Sequence, residues 1–376
     1  MDIVSELRLR HAGLEEILKK RGLDAALIAG NSAVGPLAFG AFRFFTDWRC
    51  YFGVQAMVLA KGRGPVMCMG SILHRQGLEE RGFSDIRDDG PVLKNVIKAL
   101  KESGSVRIGS CLDTLPADWY LTIEKEIPGA QFTDISQDIF ALRTEVSDDI
   151  AARTRRSAEI ADEGFEAVCR LVKLGMRMME LHAAMDHAML KAGAEEVFTL
   201  MSNGRFSFTD NRLPSLRSFN YPDDRVISEG DNVAMEITPR YKGYWSQLVR
   251  TICVGEPSED IVTAHRLQLE LLSEAQKMLT PGTKLGDVLK FLWSATEKMG
   301  YVPRMPFGHV LGLDLDEAGR ASLDSPLVLK PNMTVVLHPT MTRPENSYSI
   351  FWGDTFLVAE GGGERINRST TDLTVL

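Results

Sequence analysis

A two-domain α+β chain is what this sequence predicts, and three observations carry the prediction. At 376 residues the chain is long enough for two domains of ordinary size, each able to bury its own core. Up to about residue 145, short apolar runs alternate with helix-like stretches, the pattern of a small α/β domain. Beyond that point helices and strands come in blocks, which favours α+β for the remainder.

The elements follow in order. MDIVSELRLRHAGLEEILKKRG carries charges through its apolar positions and reads as an amphipathic helix ending at Gly22. DAALIAG, QAMVLA and PVMCMG are short apolar runs bounded by Gly, Pro and Asn, and read as strands. Helix-like stretches cover 71–81, 92–102 and 116–125. From Ser147 the segment SDDIAARTRRSAEIADEGFEAVCRLVKLG is a long amphipathic helix, with Ser147 as N-cap and acids in its first turn. This places the domains at 1–145 and 146–376. Further helices are expected over 178–193, 258–280 and 284–299, and strands over 197–203, 232–238, 248–254, 333–341 and 349–359. The segment 202–225 is a long loop rich in Arg, Asn and Phe, and long ordered loops often carry function. Its Arg205, Arg212 and Arg217, with Phe206 and Phe208, suit either an anion-reading lid or a solvated loop.

Composition narrows the function. Charged residues at 25% and apolar residues at 44% describe a soluble globular protein. A net charge of −8 repels phosphate backbones and anionic membranes, so neither a nucleic-acid partner nor a membrane is expected. The N-terminus lacks the uninterrupted apolar core of a signal peptide, and no window reaches the roughly 18–20 apolar residues of a membrane span. A cytoplasmic location follows. Cys50, Cys68, Cys111, Cys169 and Cys253 are widely spaced with no CxxC pair, which suits reduced thiols.

Three segments hold the candidate chemistry. FGHVLGLDLDE (Phe307–Glu317) sets His309 just after Gly308 on an apolar stretch and follows it with carboxylates, including Asp316 and Glu317. NMTVVLHPTM puts His338 at the end of a strand-like run, before Pro339. In GDNVAMEITPRYKGYWSQLVRT, Glu236 alternates with Met235 and Ile237; if those two are core, Glu236 faces a cavity. A buried carboxylate must be paired, protonated or metal-bound, and the candidate partners are His309, His338 and Arg250. Tyr241, Tyr244 and Trp245 surround a hairpin, where packing competes with a substrate role. Arg49 and Phe52 would suit a substrate carboxylate and an apolar body. His182 and His187, at i and i+5 on a helix, do not share a face.

These segments, in this order and over most of the chain, resemble the pita-bread family that includes methionine aminopeptidase, aminopeptidase P, prolidase and the metal-free enzyme creatinase. The resemblance implies a C-terminal pita-bread domain behind a smaller N-terminal α/β domain, joined by LRTEVSDDIAARTRRSAEIAD, and a homodimer. FFTDWRCYFG (44–53) is similar to the creatinase stretch that supplies substrate contacts. Family peptidases hold two metal ions with two aspartates, a histidine and two glutamates. By resemblance the aspartates fall on Glu236 and Gln247, the histidine on His309, and the glutamates on His338 and Gly353, with Asp354 beside the latter. The family's second histidine falls on Asp316. The creatinase-type catalytic histidine falls near Phe219, and its substrate arginine near Val54, with Arg49 close in sequence. With both bridging carboxylates replaced, a dinuclear peptidase site is not expected.

Three readings follow. The leading one is a creatinase-like, metal-independent hydrolase or lyase with no cofactor. In it His309 or His338 is the acid–base group, Glu236 orients the imidazole, and Gln247, Arg250, Asp316, Tyr244, Phe52 and Arg49 contact the substrate. The second is a mononuclear enzyme holding one Fe(II) or other divalent metal with Glu236, His309 and His338, and Gln247 as a weak fourth ligand. The third is a binding or scaffold protein. The substrate expected is a small polar molecule, carboxylate-bearing and derived from an amino acid.

Overall fold

The computed structural model describes residues 2–31, 40–49, 51, 53–205, 222–303, 307–317, 322–343 and 349–376. The chain divides into two compact units, Met1–Thr144 and Glu145–Leu376.

The first unit opens with α1 (Ile3–Arg21), capped by Asp2, which accepts from the Ser5 N–H at 3.0 Å. The helix ends at Gly22, whose φ of 67° is the left-handed conformation that glycine adopts without steric cost. β1 (Ala25–Asn31), α2 (Gly40–Thr46), β2 (Val54–Ala60) and β3 (Val66–Cys68) follow. A 3-10 turn (Ile72–His74) leads into α3 (Arg75–Glu79), so the helical stretch expected over 71–81 is two short pieces. β4 (Asp85–Arg87), α4 (Val92–Ser103), β5 (Arg107–Ser110), α5 (Ala117–Glu126), β6 (Gln131–Asp134) and α6 (Ser136–Arg143) complete the unit. Its sheet runs β4-β3-β2-β1-β5-β6. β1 and β2 are almost wholly buried, which is why they read as continuous apolar runs rather than alternating ones.

The second unit begins with α7 (Asp148–Leu171), where the Ser147 hydroxyl accepts from the Ile150 N–H. It continues through α8 (Met178–Lys191), β7 (Glu196–Arg205), β8 (Asp231–Tyr241), β9 (Tyr244–Trp245) and β10 (Leu248–Cys253). After α9 (Glu259–Met278) and α10 (Leu285–Lys298) come β11 (Gly308–Leu311), β12 (Thr334–Leu337), β13 (Thr340–Thr342), β14 (Ser349–Phe351) and β15 (Asp354–Leu357). The short β16 (Glu364–Arg365) and β17 (Thr374–Val375) close the chain. One sheet runs β17-β10-β8-β7, a second runs β11-β12-β15-β16, and β13 pairs with β14.

The two larger sheets are joined edge to edge. Val249 of β10 and Gly353, just before β15, exchange backbone hydrogen bonds of 3.0 Å in both directions. One side of this joint carries a buried ion pair. The Arg250 guanidinium reaches Asp354 Oδ1 at 2.8 Å and the Val249 and Gly353 carbonyls at 2.8 and 2.9 Å, and lies 4.3 Å from the Trp352 ring centre. Arg365 also donates to Asp354, at 3.0 Å.

Alternation then sorts the strands into two faces. Met235, Ile237, Leu248 and Ile252 pack with Ile160, Phe165, Leu181 and Met185 of α7 and α8. Val310, Val335, Leu337 and Phe356 pack with Leu271, Leu289 and Leu292 of α9 and α10. Helices thus cover one face of both sheets, and residues of the opposite parity form an inner face. The runs expected as single strands over 333–341 and 349–359 each break, at His338–Pro339 and at Trp352–Gly353. Proline removes a ladder donor, and the break at 353 is where β15 meets β10.

Among the described residues no helix is long and apolar enough to cross a membrane. Cys68, Cys111, Cys169 and Cys253 are free thiols, and Cys50 lies outside the described residues.

Removing the carboxylate from the sheet joint leaves a buried guanidinium without its main counter-charge. Asp354→Ala is expected to lower the unfolding free energy by about 3–5 kcal/mol in urea titrations. A loss within experimental error would show that Arg365 and the backbone carbonyls do not depend on that carboxylate.

Candidate functional site

Two adjacent rows of side chains cross the inner face. The first runs Leu200, Glu236, Val249 and Gly353, partners in strand register. The second begins at Phe198 and Thr238, passes through Gln247 and Thr355, and ends at Val336 and His309. Hydrogen bonds hold its middle: Thr355 Oγ1 accepts from the Gln247 N–H at 3.0 Å and donates to the Gln247 carbonyl at 2.7 Å, while Gln247 Nε2 donates to Thr238 Oγ1 at 3.4 Å. Trp245, Leu311, Leu315 and Val336 form a small apolar cluster beside this row. Phe198, from the opposite edge strand, packs against that cluster, so the joined sheets curl toward their inner face.

His338 shares the parity of Val336, which turns it toward the same side. Its ring centre lies 5.4 Å from that of His309, with the planes at 63°, and 5.4 Å from that of Phe351. Gly353 explains how close the chain comes here. A Cβ at 353 would stand 2.5 Å from His338 Cβ and 2.5 Å from the Leu337 carbonyl oxygen, so no side chain fits without moving backbone. The other end of His309 faces Asp316, whose Oδ1 is 3.9 Å from Nδ1. Asp316 belongs to a compact turn in which Glu317 accepts from the Asp314 N–H at 2.9 Å and its carboxylate fills the space that the missing Gly312 side chain leaves.

Burial governs the electrostatics. It pushes the Glu236 carboxyl up to about 7, with no charge or hydrogen bond contributing. It pushes the His338 imidazole down to about 3, aided by the neighbouring His309. His309 is also lowered by burial, against the opposing pull of Asp316. Both imidazoles are therefore neutral near pH 7. Among the described residues, His309 Nδ1, both ring nitrogens of His338 and Gln247 Oε1 are buried without a hydrogen-bond partner. Such atoms cost free energy unless something else meets them.

Of the residues expected from the sequence, His309 and His338 meet, and Glu236 and Gln247 share their face. Met235 and Ile237 are core, and Glu236 points the other way. Among the described residues no hydrogen bond or ion pair joins Glu236 to either imidazole, and burial alone shifts its carboxyl. The single-metal ligand set of Glu236, His309, His338 and Gln247 is corrected accordingly: among the described residues no group of three His, Cys, Asp or Glu side chains could hold a metal ion. The two-ion set of the family fits no better, with Gln247 and the crowded Gly353 in place of bridging carboxylates.

Arg250 is a second correction. It has the parity of Met235, lies on the helix-covered face, and is engaged by Asp354 rather than free to hold a substrate. Tyr244 is a third: it is buried at the β8–β9 hairpin, with Arg153 of α7 lying 5.9 Å from its ring centre, on the side away from Gln247. Arg49 is exposed in the first unit. Phe52, Phe206, Phe208, Arg212, Arg217 and Phe219 lie outside the described residues. Thr238, Thr355 and Trp245 line the inner face without having been singled out as site residues. Their signal was available, because each stands two residues from an expected site position on the same face.

Comparison with known proteins places this geometry. The model of metallopeptidase family M24 matches residues 152–360, and that of the creatinase/prolidase N-terminal domain matches residues 10–144. The chain is 22% identical over 365 residues to the uncharacterized peptidase YqhT of Bacillus subtilis, covering 96% of this chain and 99% of that one. It is 24% identical over 388 residues to an Xaa-Pro dipeptidase of Pyrococcus horikoshii, covering 99% and 100%. With a creatinase of a Bacillus species it shares 23% over 379 residues, covering 96% and 90%. The structure of an Xaa-Pro dipeptidase from Bacillus anthracis superposes with a TM-score of 0.84 at 23% identity, over 98% of this chain and 100% of that one. The fold is therefore the pita-bread architecture behind a creatinase-type N-terminal domain.

A carboxyl whose folded value is raised stabilises the fold at low pH and loses that contribution as pH climbs from its unfolded value of 4.5 through about 7. Glu236→Gln, neutral at every pH, should match the wild type near pH 4.5 and exceed it at pH 8 by roughly 2–3 kcal/mol. Thermal melts at the two pH values check this, and a pH-independent difference would contradict it.

Proposed function

The chain belongs to metallopeptidase family M24, and from that membership and its inner face we propose a creatinase/prolidase-like enzyme that cleaves a C–N bond of a small polar molecule without a metal ion. The observation that carries the reading is the pair of neutral imidazoles, His309 and His338, facing each other where the family's donor set is no longer complete.

The chemistry assigned to these residues is proton transfer. Asp316, near Nδ1 of His309, favours a proton on that nitrogen and leaves Nε2 with a lone pair. In hydrolysis Nε2 takes a proton from water as the water oxygen bonds to the substrate carbon. The C–N bond breaks, and the departing nitrogen receives a proton from His309 or from Glu236, whose carboxyl near 7 retains one at neutral pH. In lysis the same base removes a carbon-bound proton instead. His338, held neutral, offers one donor and one acceptor, and Gln247 offers its unpaired Oε1.

The proposal extends to a cytoplasmic homodimer, the assembly implied by the resemblance. Sedimentation at twice the chain mass checks the assembly, and a monomer at working concentration would contradict it.

Two further outcomes are expected. Protein purified without chelators should contain only substoichiometric metal and keep its turnover after chelation; loss of turnover restored by one divalent ion would overturn the metal-independent reading. His309→Ala should abolish turnover while leaving thermal stability nearly intact, because it removes a buried imidazole whose Nδ1 has no hydrogen-bond partner among the described residues. Turnover that survives in this variant would remove His309 from the acid–base role.

A further inference from the structure

We infer that Gln268 of α9 is a positioning residue for His338: from the helix side its amide ties together the two chain breaks that set His338 beside Gly353. The inference rests on the reading of His338 as part of the proposed active site.

The buried stripe of α9 includes Ile261, Ala264, His265, Gln268, Leu271 and Leu272, at helical spacing, and only its middle turn is polar. Gln268 is fully buried, and a primary amide there is costly unless its groups are met. What meets its nitrogen is backbone. Nε2 donates to the Pro339 carbonyl and, at 3.2 Å, to the Ile350 carbonyl. Pro339 follows His338 in the gap between β12 and β13, and Ile350 lies in β14, the strand that leads into the Trp352–Gly353 gap. The two gaps lie against each other, since a Cβ at 353 would stand 2.5 Å from that of His338. One turn earlier on α9, His265 reaches the second gap as well: its ring meets Trp352 edge-on, with 4.5 Å between centres.

The His338 ring depends on this support. Among the described residues neither of its nitrogens has a hydrogen-bond partner, so the ring goes where its backbone takes it. On one side the His338 N–H donates to the Phe307 carbonyl at 2.8 Å. On the other, Pro339 has no N–H to give, and its carbonyl is taken up by the Gln268 amide. A residue at 268 without a donor would deprive that carbonyl of its side-chain partner inside the fold, and the break would shift to find another. The imidazole would move with it, and away from its place beside His309.

Ring-labelled histidine makes the seven imidazoles separately visible by NMR. Gln268→Met keeps the length of the side chain and removes the donor. In this variant the cross-relaxation between the His309 and His338 rings should be lost and the His338 ring signals should shift, while those of His11 and His74 in the first unit stay in place. Gln268→Asn, which keeps the amide but shortens its reach by one methylene, gives the same reading where the first variant does not fold. Leu289→Ala supplies the structural control, because it opens the core on α10 without removing a hydrogen bond, and it should keep the cross-relaxation. An unchanged ring pair in folded Gln268→Met, or the same loss in Leu289→Ala, overturns the inference. Turnover should fall by roughly a hundredfold where the rings separate, as for a misplaced oriented group. Separated rings with full turnover would refute the proposed role of His338 and leave the positioning by Gln268 standing.

Discussion

The joint between β10 and β15 is the constraint on which the second unit depends. Two backbone hydrogen bonds between Val249 and Gly353 turn two sheets into one curled surface, and the Arg250–Asp354 pair fixes the helix-covered side of the same seam. A buried ion pair is not in itself a large source of stability, because desolvation offsets most of the attraction. Its value here is directional. The guanidinium reaches Val249 and Gly353 carbonyls as well as Asp354, so it ties both strands in one register, and a slip by one residue would turn Glu236 and His309 away from each other's face.

The site follows from that register. Side chains of one parity go under the helices as core, and those of the other parity lie on the face that these helices do not cover, where the Trp245 cluster is an apolar patch. They collect acids, amides, hydroxyls and imidazoles at a place where burial dominates their titration. Neutralisation of both histidines and the raised Glu236 carboxyl share one cause, the scarcity of water around them. The same scarcity makes each unpartnered polar atom of the face costly.

Much of this was legible in the sequence, and for reasons that can be named. The alternation around Glu236 sets its carboxyl opposite Met235 and Ile237, and the Ser147 cap and Gly22 stop mark helix ends through local chemistry alone. Short polar strands such as Asp85–Arg87 and Gln131–Asp134 escaped notice because three or four residues are too few to display a period, and α2 because all seven of its residues are buried. The role of Arg250 was misjudged for a different reason. Its parity was readable, since it stands fourteen residues after Glu236 across a hairpin, but which face each partner takes depends on a register that only the folded sheet supplies. The contact of Phe198 with the Trp245 cluster is a product of curvature, and curvature is not written in any single strand.

The crowding at Gly353 also restricts what chemistry one substitution could add. An acid reintroduced there by a single substitution would strike the backbone of its neighbour before it could reach any ion, so the path toward a two-ion centre is blocked at its first step. His338 and the chain around it would have to retreat before any longer side chain could stand at 353. Sterics at one backbone crossing thus limit which donor sets this face can present.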